Sequence, residues 1–211
     1  MGGVTTRLQR AWDAETELVV KRSRFIARLA RVDSEEEARA VIADTRRRYP
    51  DARHHCTAFV VEVPDASPIA RSSDDGEPAG TAGMPILATL LGADVTQAVA
   101  VVTRYFGGVL LGAGGLARAY SAATRSALDA APRVRLVRRQ AYELEVPHAD
   151  GGRIETELRS AGVAIVDAVY GQRVTLRFLA PMSMDVPELV SRLTSGRGVL
   201  VSGGHRDSEP P

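Results

Sequence analysis

The stretch "RQAYELEVPHADGGRIETELRSAGVAIVDAVYGQRVTLRFLA", from Arg139 to Ala180, spells out a strand, a helix and a hairpin. Residues 139–147 alternate, with Tyr142, Leu144 and Val146 on one face, as a half-buried strand requires. From Asp150 the spacing changes to that of a helix, with Ile154, Leu158 and Ala161 on one side and Gly162 suited to a left-handed C-cap. Two strands then turn around Tyr170-Gly171. Beyond them, Asp185 caps a second helix carrying Val186, Leu189, Val190 and Leu193, and "GVLVSG" supplies a last strand. The order βαββαβ predicts a ferredoxin-like domain over residues 136–205. The tail from Ser202 has no apolar anchor, and residues 206–211 are expected to be disordered.

Working back toward the N-terminus, residues 1–135 read as a different α/β unit, with the boundary near Ala131–Leu136. "TELVV" and "RFIARLARV" flank "KRS" as a hairpin. Ser34 and Glu37 form a capping box before a helix with Ala38, Val41, Ile42 and Tyr49 on its apolar face, stopped by Pro50. "HHCTAFVVEV" is a strand, and "QAVAVV" is a continuous apolar run that suits a strand buried on both faces. A helix from Gly114 to about Ala130 buries Leu116, Tyr120, Ala123 and Ala127. The fold class is therefore α+β in two domains.

Composition sets the outer bounds. The 211 residues are 45% hydrophobic and 25% charged, with a net charge of +1, as in ordinary globular chains. Cys56 is the one cysteine, which fits a reducing compartment. No apolar run resembles a signal peptide or a membrane span, so the expectation is a cytoplasmic protein without membrane contact. Lys21 is the one lysine among 27 basic residues. A GC-rich genome alone would produce such an arginine bias, so it says nothing about RNA.

Two segments exceed what packing needs. "RSSDDGEPAGTAGMP", Arg71 to Pro85, packs Asp74, Asp75 and Glu77 with Gly76, Gly80 and Gly83 beside Thr81. "TRYFGGVLLGAGGLARAY", Thr103 to Tyr120, runs from a buried strand through Arg104, Tyr105 and Phe106 into Gly107, Gly108, Gly112, Gly114 and Gly115, then opens a helix carrying Arg118. Glycines permit positive φ and close backbone approach, and amides at a helix start donate to anions. Either segment alone could be a tight connection or a solvated loop. Together, at neighbouring strand ends of one domain, they point to a functional surface.

These segments, with "KRSRFIA" and "PDARHHCTAFVV", closely resemble the YigZ/IMPACT family. The resemblance covers most of Lys21 to Ala123, and the run Arg104-Tyr105-Phe106-Gly107-Gly108 is a family hallmark. It implies a ribosomal protein S5 domain 2-like fold for the first domain. It also implies a second domain similar to a late domain of elongation factor G. Eukaryotic relatives regulate translation under stress by binding a large activator of an initiation-factor kinase. The resemblance carries over no settled activity for bacterial members.

Candidate chemistries follow from the residues. His54 and His55 with Cys56, Asp74 and Asp75 suggest a metal, but adjacent strand residues face opposite ways and no closed-site spacing supports it. His55 shares parity with Thr57, Phe59 and Val61 and is read as packed, His54 as partly exposed; Cys56 is read as core. The glycine run matches neither a Walker A loop nor a dinucleotide fingerprint, so no cofactor is expected. Lys21, Arg24, Arg104 and Arg118 offer charge for phosphates, and Tyr105 and Phe106 offer stacking faces. An ion pair from Arg104 to Asp74 or Asp75 is an equal reading. The leading expectation is a non-enzymatic binding protein whose partner is RNA, the ribosome or a protein of translation or stress signalling. The alternatives are an enzyme on a phosphorylated small molecule and a protein–protein adaptor. A deep pocket at the glycine loop would favour the enzyme, an open basic groove RNA, and an exposed apolar patch a protein.

Overall fold

A computed structural model describes residues 6–63 and 66–209 and divides the chain into two compact units, Met1–Arg135 and Leu136–Pro211. In the first unit, strands β1 (Thr6–Leu8), β2 (Asp13–Val20) and β3 (Ser23–Arg31) lead into α1 (Glu35–Arg48). There follow β4 (His54–Val61), β5 (Ile69–Ser73), α2 (Gly83–Gly92), β6 (Val95–Thr96), β7 (Ala98–Tyr105), α3 (Ala113–Ala130) and β8 (Arg133–Arg135). An antiparallel five-stranded sheet runs β2-β3-β7-β4-β5.

Alternation sends successive side chains of this sheet to opposite faces. Phe25, Ala27, Leu29, Cys56, Ala58, Ala100 and Val102 form the core with Ile86 and Leu90 of α2 and Leu116, Tyr120 and Ala123 of α3. Phe59, Val61, Val99 and Val101 pack on the other face with Ala38 of α1. The central strand β7 is thus covered on both sides, which explains its unbroken apolar run. Ser34 caps α1 by accepting from the Glu37 amide, while the Glu37 carboxylate reaches back to the Asp33 amide.

The structure adds elements the sequence reading lacked. The sequence reading assigns no helix to α2, whose first three residues fall within the segment Arg71–Pro85, and no strand to β5. Strands β1, β6 and β8 build a small separate sheet, with β1 parallel to β6 and antiparallel to β8.

The second unit comprises β9 (Val137–Pro147), α4 (Gly151–Ser160), β10 (Ala164–Tyr170), β11 (Arg173–Pro181), α5 (Val186–Thr194) and β12 (Val199–Ser208). Its antiparallel order β10-β11-β9-β12 is that of a ferredoxin-like βαββαβ unit. Leu144, Val146, Ile154, Leu158, Leu176, Phe178 and Val190 make its core. One expectation is corrected here. The tail does not lose order at Ser202: β12 continues, with Arg206, Asp207 and Ser208 opposite Arg139, Arg138 and Val137. Backbone pairing with β9 holds it without apolar side chains. Residues 210–211 lie outside the described residues.

Candidate functional site

The register of three strands builds the site. Phe25 on β3 and His54 on β4 are both opposite Arg104 on β7, so the three side chains form a row on the α2/α3 face. One row deeper lie Ala27, Val102 and Cys56, all apolar core. The sheet thus changes from apolar to polar within one step, at the end where β7 leaves it.

Arg104 is 8% exposed, and its Nη1 donates to Oε1 of Glu77 at 2.7 Å. The same oxygen accepts from the Tyr120 hydroxyl at 2.7 Å, and the Cys56 thiol lies 3.3 Å from that hydroxyl. The Arg104 guanidinium lies over the rings of Phe25 and Phe106, 5.6 and 5.7 Å from their centroids. Its Nε is buried and has no hydrogen-bond partner among the described residues. The arginine therefore pairs with Glu77, not with Asp74 or Asp75.

Those two carboxylates hold the loop. Asp74 accepts from the amides of Gly80, Ala82 and Gly83 and so caps the start of α2. Burial alone would raise its carboxyl, but the three amides outweigh burial and hold it below the ordinary value. Asp75, at positive φ, accepts from the His55 amide at 2.7 Å and from Arg46 at 2.5 Å. Its own carbonyl accepts from His54 Nδ1 at 2.9 Å. Gly76 follows in the left-handed region, and Thr81 donates to the Pro78 carbonyl.

His54 and His55 part as strand parity requires: His55 is buried on the α1 face with Nδ1 3.0 Å from the Thr103 hydroxyl, and His54 is half-buried on the other. Burial holds the His55 imidazole below its usual value. Burial also pushes the Cys56 thiol up to about 12 and raises the Tyr120 phenol beyond reach of ordinary pH. A thiol so placed is packing rather than a nucleophile. Among the described residues, no three His, Cys, Asp or Glu side chains could hold a metal, and no helix is long and apolar enough to cross a membrane.

The expected cationic residues fall into separate places. Arg104, Tyr105, Phe106 and His54 line a half-open cavity of about 470 Å³ with Asp51, Arg53 and Leu110. Lys21, Gly115 and Arg118 line another of about 340 Å³ beside α3. Arg24 joins neither; it pairs with Glu17 and lies over the Tyr105 ring. Gly108 and Gly112 take positive φ, while Gly114 and Gly115 are ordinary helical residues of the first turn of α3. Arg53, Asp51, Arg46 and Arg125 are not singled out by the sequence, and Tyr120 is read there only as a core residue. Arg53 and Asp51 stood within the quoted block before the histidine pair, which was the available signal.

Comparison with known proteins identifies the family. The Impact N-terminal domain model matches residues 21–128. The IMPACT family member YigZ of Escherichia coli is 42% identical over 182 residues, 86% of this chain and 89% of that protein. The chain belongs to the IMPACT family. Another IMPACT family member, YvyE of Bacillus subtilis, is 36% identical over 90% of this chain and 87% of its own length. A crystal structure described as that of a hypothetical protein aligns with a TM-score of 0.77 at 36% identity, covering 97% of this chain and 99% of that one. Residues 144–197 match a second model, a domain of unknown function (DUF1949).

Within the matched range, the β2–β3 hairpin and the loop after β7 converge in space. The hairpin turn Lys21-Arg22 takes positive φ at both residues and lies against Gly107. A Cβ at Gly107 would fall 2.0 Å from the Arg22 carbonyl carbon, and the Gly107 amide donates to Ser23 Oγ. Glycine is required there by close approach, not by φ.

Proposed function

We propose that the chain is a translation-associated regulatory protein that binds RNA or the ribosome through its first unit. The observation that carries this reading is a cationic surface on α3. Two grooves, of about 340 and 520 Å³, share Arg118 and Ala122. Lys21 lines one, Arg125 the other, and neither lining contains a carboxylate. Lys21, Arg118 and Arg125 make no ion pair among the described residues, whereas most arginines near α1 are paired. Unpaired cations along an open groove suit backbone phosphates, which position a nucleic acid without reading its sequence. A regulatory rather than catalytic role is supported by the carboxylates Asp74, Asp75 and Glu77, each engaged by protein partners. Translation as the setting is supported by the family resemblance, whose eukaryotic members are implied to regulate translation.

The test is co-sedimentation with ribosomes and binding to single-stranded RNA at several salt concentrations. Affinity should fall with a log–log slope of roughly 0.7 to 0.9 per phosphate engaged. The double variant Arg118→Glu/Arg125→Glu should abolish binding without altering unfolding, since both residues lie on the outer side of α3. Binding indifferent to salt and to these changes would refute the reading.

A further inference from the structure

The cavity beneath Phe106 is separate from the α3 grooves and differs from them in chemistry. Its polar end is built by Arg53, Arg104 and His54, with the charge on the two arginines, and its apolar end by Phe106 and Leu110. Arg104 is held in place: one N–H is bound to Glu77, and the centroids of two aromatic rings lie 5.6 and 5.7 Å from its guanidinium carbon. That single bond leaves four of its five N–H donors, of which Nε is an orphan in a nine-tenths buried side chain. A buried donor without a partner is costly, and such groups point to strain or to a ligand. His54 is fixed as well. Its Nδ1 faces the Asp75 carbonyl and must carry the hydrogen, so Nε2 of the neutral ring is an acceptor, suited to a ligand hydroxyl or amino group. Arg53 makes no ion pair among the described residues. Asp51 is the one carboxylate in the lining, and it accepts from the Tyr105 hydroxyl at 2.7 Å.

The other end of the cavity is unusual for a water-exposed loop. Phe106 is 58% exposed and Leu110 83% exposed, although neither has polar work to do. One face of the Phe106 ring is turned to the Arg104 guanidinium, so a planar group stacking on the ring would extend an existing cation–ring pile. The volume lies within the range of about 300–1,000 Å³ typical of small-ligand sites.

We infer that this cavity binds a mononucleotide phosphate: the phosphate monoester lies against Arg53 and Arg104, a donor group of the sugar or base meets His54 Nε2, and the base lies against Phe106 and Leu110. A dianionic monoester matches two guanidinium groups better than a carboxylate does, because it brings two charges and three acceptor oxygens. The base requirement comes from the apolar end, which free phosphate would leave uncovered. The monoester can belong to a free nucleotide or to the 5′ end of an RNA. The inference stands independently of the α3 grooves.

The experiment is calorimetric titration of the full chain with adenosine 5′-monophosphate, adenosine, inorganic phosphate, and a short RNA bearing a 5′-phosphate or a 5′-hydroxyl. Saturable binding of the monophosphate, tighter than that of adenosine or phosphate, is expected. Arg53→Ala and Phe106→Ala, both exposed and safe for folding, should each weaken it by about ten-fold or more. Arg118→Glu/Arg125→Glu should leave it unchanged, which separates it from failure of the groove reading. Binding confined to the 5′-phosphorylated RNA and lost in Arg53→Ala would support the site with an RNA end as its ligand. Phosphate binding as tightly as the nucleotide would overturn the role of the apolar end. No saturable binding of any monoester, or binding that survives both cavity variants, would overturn the proposal.

Discussion

Two arginines are buried on opposite faces of the same five-stranded sheet, and their surroundings differ. Arg28, 4% exposed on the α1 face, is almost fully engaged. It pairs with both oxygens of Asp13, at 2.7 and 2.5 Å, and with Asp44 and the Thr45 hydroxyl at 2.8 and 3.0 Å. Arg104, 8% exposed on the other face, has one carboxylate oxygen and two aromatic rings. Arg28 fastens β3 to β2 and α1 with four of its five N–H donors. Arg104 is clamped in position with capacity to spare beside a cavity. Burial alone therefore does not mark a structural arginine. The count of unused donors, and what they face, separates the two.

The comparison breaks most easily at Glu77. Glu77→Ala leaves the Arg104 charge buried without a counter-ion and the Tyr120 hydroxyl without its acceptor. The expected loss is about 3–5 kcal/mol in urea unfolding of the first unit. The pair Glu77→Leu/Arg104→Met should recover much of it, because an apolar pair of similar volume removes the unpaired charge. A loss below about 1 kcal/mol for Glu77→Ala would mean that Arg104 is solvated, and the contrast with Arg28 would vanish.

Next in size is Gly107→Ala, which asks whether the Arg104 end of the sheet depends on the hairpin turn. The added methyl collides with the Arg22 backbone, so either the turn or the loop must move. Destabilisation of about 2–3 kcal/mol is expected, with nuclear magnetic resonance shifts concentrated at residues 20–25 and 104–108. Shifts spread evenly across the sheet would contradict it.

Arg28→Met should cost about 2 kcal/mol, less than Glu77→Ala, since Asp13 and Asp44 can turn to water once released. Equal losses would show that the number of partners, not their burial, sets the penalty.

The smallest effect is one of pH. Burial depresses the folded-state pKa of His55, so the unfolded chain takes up a proton more readily than the folded one. Stability should therefore fall as pH drops below the ordinary histidine value of about 6.5. His55→Gln should flatten that limb of the profile. An unchanged limb would assign it to other groups.

The regular elements were legible wherever one chemistry repeated. The Ser34–Glu37 box, the apolar run of β7, the faces of α3 and the order of the second unit all appear in the local pattern. What was missed depends on distant partners. The segment "GMPILATLLG" of α2 is apolar nearly all round, so it has no helical face to read, and Pro85 reads as a break. Strands β1, β6 and β8 are two or three residues long and exist through pairing across most of the unit. At the site, sequence named both the acidic loop and Arg104. Which of three carboxylates reaches the arginine depends on the loop's path: Asp74 turns back to cap α2, Asp75 turns to His55 and Arg46, and Glu77 alone points inward. The tail was misjudged because β12 is held by backbone pairing, which composition does not record.

Cys56 has a practical consequence of its own. It is the single thiol of the chain, it lies at the centre of the first unit's core, and the second unit contains none. An alkylating reagent can reach it only when that core opens, so its modification rate is an intrinsic stopwatch for one half of the molecule. Added nucleotide or RNA that closes the first unit will slow the stopwatch, whatever the second unit does. No label or engineered residue is required to read it.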